Sequence, residues 1–343
     1  MSNATDPKRV NIKDVARDAG VSASTVSYVL NGSNKVSQPT KERVLESIRT
    51  LGYRRNRVAG ALRRQRTNTI GALLPDLGNP FYAEFLQGAE RVATEEGFGL
   101  FFCDAGVGIL EEVTWKYINF MLEQQVDAIL IAQGQQLTPE TASLLEASGV
   151  PTCYQALEPQ AHPYQLSSVG PDLSIGMREA VSYLVNLGHT RIACVGIGKE
   201  LDCVRFRTFV SAATALSLSV DDWQLMKYAS PEDGANIVRR IMRMPEPPTA
   251  IVGAWDVIAA ELMYQARQFG LRVPEDISII GTDDILLAAR LYPPLTTIAL
   301  PAFELGVAAV RLLLEQSDDD TRRVILPTSL VIRESCVRPQ ART

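Results

Sequence analysis

Residues 11–31 hold two short amphipathic helical patterns separated by a glycine, and this arrangement constrains the fold more than any other stretch of the chain. In the first pattern, apolar side chains recur every three or four residues between Asn11, a good N-cap, and Gly20, a typical helix stop. The second pattern starts at Ser22 and has one apolar face, while its opposite face carries small polar side chains and Tyr28. Two short helices joined in this way predict a helix-turn-helix, whose second helix enters the major groove of DNA.

A third amphipathic pattern between Ser37 and Gly52 completes a small all-α head, predicted over residues 10–53. An ordinary three-helix bundle with no DNA role is the alternative. Charge argues against it, because residues 1–66 hold fourteen Lys and Arg against five Asp and Glu, a net charge of +9 that leaves −14 for the rest of a chain whose total is −5. A basic head neutralises phosphates while an acidic body is repelled by them. Residues 1–9 show no periodicity, and a disordered arm is expected there.

Residues 54–67 are predicted to form a hinge or linker, since they are rich in arginine and have only two large aliphatic side chains, Val58 and Leu62. A solvated linker is the simpler interpretation. A helix here would be marginal alone, because Gly60 lowers its propensity and no partner face is available. We therefore expect such a helix to need a binding partner in order to fold.

These motifs resemble the lactose-repressor (LacI/GalR) family of bacterial transcription regulators. The resemblance rests on the run from Asp14 to Ser27, on Val29-Leu30-Asn31, and on the Asn56-Arg57 hinge with its leucine, and it continues to the C-terminus. It implies an effector-responsive regulator, expected to be a repressor, that binds a palindromic double-stranded DNA operator as a homodimer. It further implies that Leu62 of each subunit wedges into the central minor-groove step.

The resemblance assigns the DNA contacts residue by residue. Base edges are expected to be read by Ser24, Ser27 and Tyr28, while Ala23 leaves room or touches a thymine methyl group. Phosphate contacts are expected from Thr25, Asn31, Lys35, Ser37 and Thr40. Ile12 and the hinge residues Asn56, Arg57, Ala59 and Leu62 complete the predicted DNA-binding set. Tyr28 stands where the family often has arginine, so a different operator base is expected there.

From residue 68 the pattern changes to short apolar strands that alternate with amphipathic helices, which predicts α/β structure with parallel sheets. The resemblance implies two doubly wound parallel-sheet lobes of the periplasmic-binding-protein type over residues 68–335, with a tail at 336–343, and three crossings of the chain between lobes. We place the crossings near 161–168, 296–299 and 326–329. The first lobe then spans about 68–164 and 298–327, and the second about 165–297 and 328–335.

Ligands of open parallel sheets sit beyond the carboxyl ends of the strands. At those ends the resemblance assigns effector contacts to Phe81 and Tyr82, in the Asn-Pro-Phe-Tyr segment, and to Arg205 and Asp283. Arginine suits paired hydrogen bonds to ligand hydroxyls or acids, and aspartate accepts from hydroxyls. The implied effector is a sugar, a sugar phosphate or a nucleoside-like molecule.

Three positions depart from the family pattern at this predicted pocket. Trp255 replaces an asparagine, Ala156 replaces an aspartate, and Thr208 replaces a glycine. The loss of two polar groups favours a flatter or partly apolar effector, or a sugar that stacks on Trp255. Two alternatives stay open: a degenerate pocket that binds nothing, and a Trp255 that is only a core aromatic at a strand end.

Enzymatic motifs are lacking, since the chain has only two histidines, His162 and His189, and no metalloprotease, Walker or nucleophile-elbow pattern. We predict no catalytic residue, metal or cofactor, and a structural role for His189. Five cysteines without a C-x-x-C pair, no apolar run of membrane length and no signal peptide are typical of a cytoplasmic, membrane-free protein. The rival functions are a small-molecule binding protein without a DNA role and, more remotely, a sugar-modifying enzyme.

Overall fold

A computed structural model describes residues 10–30, 32–53, 66–106, 111–132, 137–158, 166–196, 204–315 and 322–340. The chain divides into two compact units, Met1–Thr67 and Asn68–Thr343. The predicted arm at 1–9 and the predicted DNA contacts Asn31, Asn56, Arg57, Ala59 and Leu62 lie outside the described residues.

The first unit contains three helices: α1 (Ile12–Asp18), α2 (Ala23–Leu30) and α3 (Gln38–Thr50). Asn11 caps α1 in a capping box with Asp14, as its sequence position predicts. The core is small and entirely aliphatic, formed by Val15, Ala16, Ala19, Val26, Val29 and Val44. Few side chains stabilise so small a head, so its caps matter for its stability.

The second unit alternates strands and helices almost throughout. Its strands are β1 (Thr69–Leu74), β2 (Gly99–Asp104), β3 (Ala128–Ile131), β4 (Thr152–Gln155), β5 (Ser167–Asp172), β6 (Ile192–Gly196), β7 (Leu225–Lys227), β8 (Ala250–Gly253), β9 (Ser278–Asp283), β10 (Thr296–Ala299), β11 (Arg323–Pro327) and β12 (Ser329–Val331). Its helices are α4 (Pro80–Glu95), α5 (Glu111–Glu123), α6 (Pro139–Ser148), α7 (Leu173–Leu187), α8 (Val204–Ala215), α9 (Pro231–Arg243), α10 (Asp256–Gln268) and α11 (Ala302–Leu314). Short 3₁₀ turns lie at Asp222–Gln224 and Ala288–Arg290.

The strands form two six-stranded sheets, in the orders β11-β5-β4-β3-β1-β2 and β12-β10-β9-β8-β6-β7. All described pairs of the first sheet are parallel, and in the second only β12 runs antiparallel, at an edge. β1 is apolar after Thr69 because both of its faces are buried. Ile70 and Leu74 pack in the cluster that includes α4, whereas Leu73 packs in the cluster that includes α5. The predicted α/β class with two doubly wound lobes is confirmed.

The first crossing between lobes differs from its predicted position at 161–168. β5 pairs with β4 and β11, so residues 167–172 complete the first sheet, and the chain passes to the second lobe at α7. The sequence pattern favours the second lobe for this strand, because the strand begins a new strand-helix series. Strand order in a sheet is set by pairing, which the local pattern does not reveal. The later passages fall at 300–301, between β10 and α11, and at Thr328, between β11 and β12.

The predicted tail also needs correction at its start. Ser278 Oγ and the His189 ring both hydrogen-bond to the backbone carbonyl of Val337, at 3.2 and 2.9 Å, and Cys336 packs against the core. His189 is buried and also contacts Thr249 Oγ1 at 2.8 Å. Residues 336 and 337 therefore belong to the second lobe, and the hydrogen bond from the His189 ring to the carbonyl of Val337 holds them there.

Helices α4 and α11 pack at backbone distance in the first lobe. A Cβ added to Gly306 would collide with the carbonyl oxygen of Phe85, and one added to Gly88 would collide with that of Phe303. Two glycines facing each other's helix thus allow an approach that no other residue type permits.

We predict that Gly306→Ala lowers the free energy of unfolding by about 1–3 kcal/mol, because the helices must separate to admit the methyl group. Gly234→Ala in α9 is the matched control, since its new Cβ would meet only the flexible side chains of Glu261 and Gln265, not backbone atoms, and the substitution gains helix propensity. Urea denaturation measures both. Equal stability of the two variants would contradict the close packing.

Candidate functional site

The head presents α2 through a tight turn. Gly20 adopts a φ of +64°, which favours glycine, and the chain turns directly into the cap of the second helix. Ser22 Oγ accepts from the backbone N–H of Thr25 at 3.1 Å and lies 2.7 Å from Ser24 Oγ and 2.8 Å from Thr25 Oγ1. Two predicted DNA contacts, Ser24 and Thr25, therefore share a hydroxyl network with the cap that starts their helix.

Tyr28 is the large side chain that α2 leaves on its surface. It is 45% exposed, while Val26 and Val29 on the opposite face are buried. Lys35 Nζ lies 6.0 Å from the centre of the Tyr28 ring, at the outer range of a cation–π contact. The structure thus brings together a predicted base contact and a predicted phosphate contact.

The remaining described DNA candidates lie in three settings. Ile12 and Ala23 are half-buried against the core of the head, so only part of each is available to a ligand. Ser37 precedes α3, but its hydroxyl pairs with Thr40 Oγ1 at 2.9 Å instead of capping the backbone. Ser27 is half-buried on α2.

A second group of candidates meets where strand ends of the two lobes come together. We call it the Arg205 cluster: Asn79, Tyr82, Arg205, Trp255 and Asp283. Asn79 and Tyr82 start α4 in the first lobe, whereas Arg205 starts α8 and Asp283 ends β9 in the second. Arg205 Nη2 lies 3.6 Å from Asp283 Oδ1, and Asn79 hydrogen-bonds to the same carboxylate. The cluster therefore connects the lobes.

Arg205 is held by contacts along its whole side chain. Its Nε donates to the carbonyl of Ala254 at 2.5 Å, and the guanidinium carbon lies 5.7 Å from the centre of the Trp255 ring. Only 4% of the residue is exposed. The Ala254 carbonyl and the Trp255 ring, both directly after β8, hold the guanidinium in place, so the arginine is preorganised for a ligand.

Asp283 is an unusual aspartate. Burial raises its pKa well above the ordinary value, and the nearby Asp256 adds to this, while Arg205 and Asn79 oppose it. Its φ of +123° is a conformation that L-residues rarely adopt. Burial and the Asp283 charge also raise the pKa of the Tyr82 hydroxyl, which keeps it neutral and able to donate.

Two atoms of this cluster are buried and lack a hydrogen-bond partner among the described residues: Arg205 Nη1 and Asp283 Oδ2. One is a donor and the other an acceptor. A buried polar atom left unpaired costs about 1–3 kcal/mol, so such atoms need an explanation. A bound hydroxyl compound would satisfy both.

Not every predicted effector contact points to a ligand. Phe81 is buried in the core, edge-on to Tyr82 with ring centres 5.2 Å apart and stacked on Phe85 at 6.5 Å. It therefore supports Tyr82. Trp255 is half-buried beside Arg205, which places it in the cluster, and Ala156 is buried.

Sequence reasoning missed two residues of this region. Asn79 was noted only as part of a motif, yet it is 6% exposed and links the lobes. Asp256 is fully buried. Its carboxylate accepts hydrogen bonds from Thr297 Oγ1 at 2.5 Å and from the N–H of Ile285 at 2.9 Å, so it connects the start of α10 to β10 and to the loop after β9. A buried carboxylate directly after a strand end was the signal available for it.

Comparison with known proteins identifies the family of the chain. The model of "Bacterial regulatory proteins, lacI family" matches residues 11–56, and that of "Periplasmic binding protein-like domain" matches residues 181–336. The HTH-type transcriptional repressor CytR of Escherichia coli (strain K12) is 35% identical over 308 residues, 89% of each chain. The chain belongs to the lacI family. It is a DNA-binding transcriptional regulator with an effector-binding body.

Solved structures extend the family match to the fold. The Lac repressor dimer bound to operator and the anti-inducer ONPF superposes with a TM-score of 0.83, 28% identity, and coverage of 96% of this chain and all of that one. A complex of the transcriptional regulator CelR with cellobiose has a TM-score of 0.70 and 29% identity, covering 95% of this chain and all of that one. None of the described helices of this LacI-family protein is long and apolar enough to span a membrane.

Asp256 gives this LacI-family protein a testable pH dependence. Burial raises its pKa from 3.8 to about 6, so the folded state binds the proton more tightly than the unfolded state does. The resulting stability is present below pH 3.8 and is lost as the pH rises through 6. Asp256→Asn cannot titrate.

We therefore expect the unfolding free energy of the wild type, minus that of Asp256→Asn, to fall by up to about 3 kcal/mol between pH 4 and 7. Urea denaturation at each pH supplies the two curves. Parallel curves over this range would show that Asp256 does not titrate there.

Proposed function

We propose that this regulator is a repressor that binds a palindromic operator as a homodimer, under the control of a small hydroxylated ring compound held by the Arg205 cluster. The observation that carries the proposal is the pair of unsatisfied buried atoms, Arg205 Nη1 and Asp283 Oδ2. A donor and an acceptor side by side match neighbouring ligand hydroxyls, one accepting and one donating. Because the cluster joins the lobes, a ligand there favours one lobe arrangement over another.

The chemistry around the pair narrows the effector. The half-buried Trp255 ring offers an apolar face, and Ala156 offers none of the polar contacts that an aspartate would give. Sugars stack on indole rings through their C–H faces, and nucleoside bases stack through their rings. We infer a sugar or a nucleoside-like effector, which the solved CelR complex with cellobiose supports for the sugar class.

At the DNA end, we propose that Ser24, Ser27 and Tyr28 read base edges while Thr25, Lys35, Ser37 and Thr40 contact phosphates. Asn31 and the hinge residues Asn56, Arg57, Ala59 and Leu62 are proposed on the family resemblance alone. The exposed Tyr28 beside Lys35 supports this assignment, because an aromatic ring and a cation together suit a base edge next to a phosphate.

An exposed apolar surface on the second lobe suits the homodimer. Val257 and Tyr264 lie two turns apart on α10 and are 42% and 56% exposed, and Leu286 and Leu287 follow at 69% and 50%. The N–H of Ile285 hydrogen-bonds to Asp256, which brings that loop next to the start of α10. We call this surface the α10 patch and propose it as part of the interface between subunits.

We further infer that the protein works in the cytoplasm and binds its effector without changing it chemically. Both inferences rest on its relatives, which are bacterial regulators.

Mutations in the Arg205 cluster and in the head should affect effector binding and operator binding separately. Arg205→Ala and Asp283→Asn should weaken effector binding by about ten- to hundredfold, because each removes a charged hydrogen-bond partner, and should leave operator affinity unchanged. Tyr28→Ala should weaken operator binding and leave effector affinity unchanged. Arg243→Ala, an exposed arginine on α9, is the control for charge.

Calorimetry with the effector found in a thermal-shift screen of sugars and nucleosides, together with operator gel shifts at about 100 mM salt, reads out both functions. Wild-type effector affinity in both cluster variants would refute the proposed pocket. Absence of any sequence-selective DNA binding by the wild type would refute the repressor function.

The α10 patch predicts a change in oligomeric state. Leu286→Asp places a charge in an apolar interface and should shift the dimer towards monomer by at least tenfold in dissociation constant. Ile325→Asp, which is 46% exposed on the outer strand of the first sheet, is the matched control. Sedimentation equilibrium measures both; identical dissociation constants would remove the patch from the interface.

A further inference from the structure

A groove separate from the Arg205 cluster lies between α7 and α8. It encloses a volume of about 310 Å³, and its polar walls are Glu158, Ser174, Arg178, Arg207, Thr208 and Ser211. Arg207 and Ser211 are one turn apart on α8, and Ser174 and Arg178 are one turn apart on α7, so each helix contributes one guanidinium and one hydroxyl. None of these residues belongs to the Arg205 cluster.

The two arginines differ in their partners. Arg207 Nη2 donates to Glu158 Oε2 at 2.6 Å. Among the described residues, Arg178 makes no ion pair and no side-chain hydrogen bond, although it lines the same groove. Both arginines are exposed to solvent, and an open groove with one unpaired guanidinium and one shared with a carboxylate is a site that an oxyanion can reach and fit.

Glu158 differs from the other groove residues because it comes from the first lobe. It follows β4 of the first sheet, whereas α7 and α8 pack on the second. The Arg207–Glu158 ion pair is therefore a link between lobes, and both side chains are partly exposed, at 43% and 31%. An exposed ion pair of this kind is weak and readily exchanged for another anion.

Two hydroxyl groups of the groove already donate hydrogen bonds within the protein. Ser174 Oγ donates to Asp172 Oδ1 at 2.5 Å, and Thr208 Oγ1 donates to the carbonyl of Val204 at 2.7 Å. Asp172 also caps α7. Recognition in the groove must therefore come mainly from the two guanidinium groups, which selects for negative charge over hydroxyls.

We propose that this groove is a second ligand site, for a small metabolite that carries a phosphate or carboxylate group, and that the anion takes the place of Glu158 on Arg207. Arg178 supplies the second guanidinium. Because Glu158 belongs to the first lobe, an anion in the groove breaks one link between lobes. The groove thus gives the regulator an anion-dependent input at a site separate from the Arg205 cluster.

The test uses the full-length protein and titration calorimetry at fixed ionic strength. Glycerol 3-phosphate, inorganic phosphate and succinate are the probes, with glycerol as the neutral control. We expect saturable binding of at least one anion with a dissociation constant of about 1 mM or below, and no binding of glycerol. Preference among the three distinguishes phosphate esters, free phosphate and carboxylates.

Three variants give results of opposite sign. Arg178→Gln and Arg207→Gln should each weaken the anion by about tenfold, because each removes a charged donor. Glu158→Gln should strengthen it several-fold, because the competing carboxylate is gone. A merely structural role for this ion pair would not make the removal of one partner favourable and of the other unfavourable.

Arg205→Ala should leave anion binding unchanged, so failure of the proposed effector pocket and failure of this groove are separable. The proposal is overturned if none of the three anions binds at up to about 10 mM. It is equally overturned if binding is the same in Arg178→Gln, Arg207→Gln and the wild type, or if Glu158→Gln weakens it.

Discussion

The buried contact between Arg205 and Asp283 is the interaction on which the body of this protein depends. Parallel strands from two sheets end at the same seam, and side chains from their carboxyl ends must share a space from which water is largely removed. Burial raises the pKa of Asp283 well above its ordinary value, and Arg205 and Asn79 from opposite lobes oppose that shift without cancelling it. Arg205 Nη1 and Asp283 Oδ2 are buried without a hydrogen-bond partner among the described residues, and this is why we propose that a small molecule binds at this seam.

The head obeys a different constraint. Its buried core consists of six small aliphatic residues, and some of its polar side chains serve both the fold and the proposed contacts with DNA. Ser22 both caps α2 and orders the hydroxyls of Ser24 and Thr25, two of the residues proposed to contact DNA. The two units also differ in charge: residues 1–66 carry +9 and the remainder −14, so the head is attracted to the phosphates of DNA whereas the body as a whole is repelled.

Much of this organisation could be predicted from the sequence because it is written in local patterns. Capping residues and apolar periodicity predicted the helices of the head, strand-helix alternation predicted the α/β class of the body, and the family resemblance added its two lobes. The predictions failed where distant contacts decide. β5 was placed in the wrong lobe because its neighbours in the sheet are β4 and β11, the latter more than 150 residues away. Residues 336 and 337 looked like a tail because their partners, His189 and Ser278, lie far along the chain. Asn79 and Asp256 were missed for the same reason, whereas Arg205, Trp255 and Asp283 were found through the family resemblance and do come together.

In the function proposed above, occupancy of the Arg205 cluster and operator binding are coupled through the lobes. Coupling is reciprocal, so the factor by which effector changes operator affinity must equal the factor by which operator changes effector affinity. The most direct measurement is therefore a closed thermodynamic cycle: effector affinity of the free protein and of the operator-bound protein, and operator affinity with and without effector. The account predicts two equal factors, each of about five- to 150-fold, in the wild type. Effector affinity that is identical in the free and operator-bound protein would contradict it, since the ligand would then bind without any influence on the head.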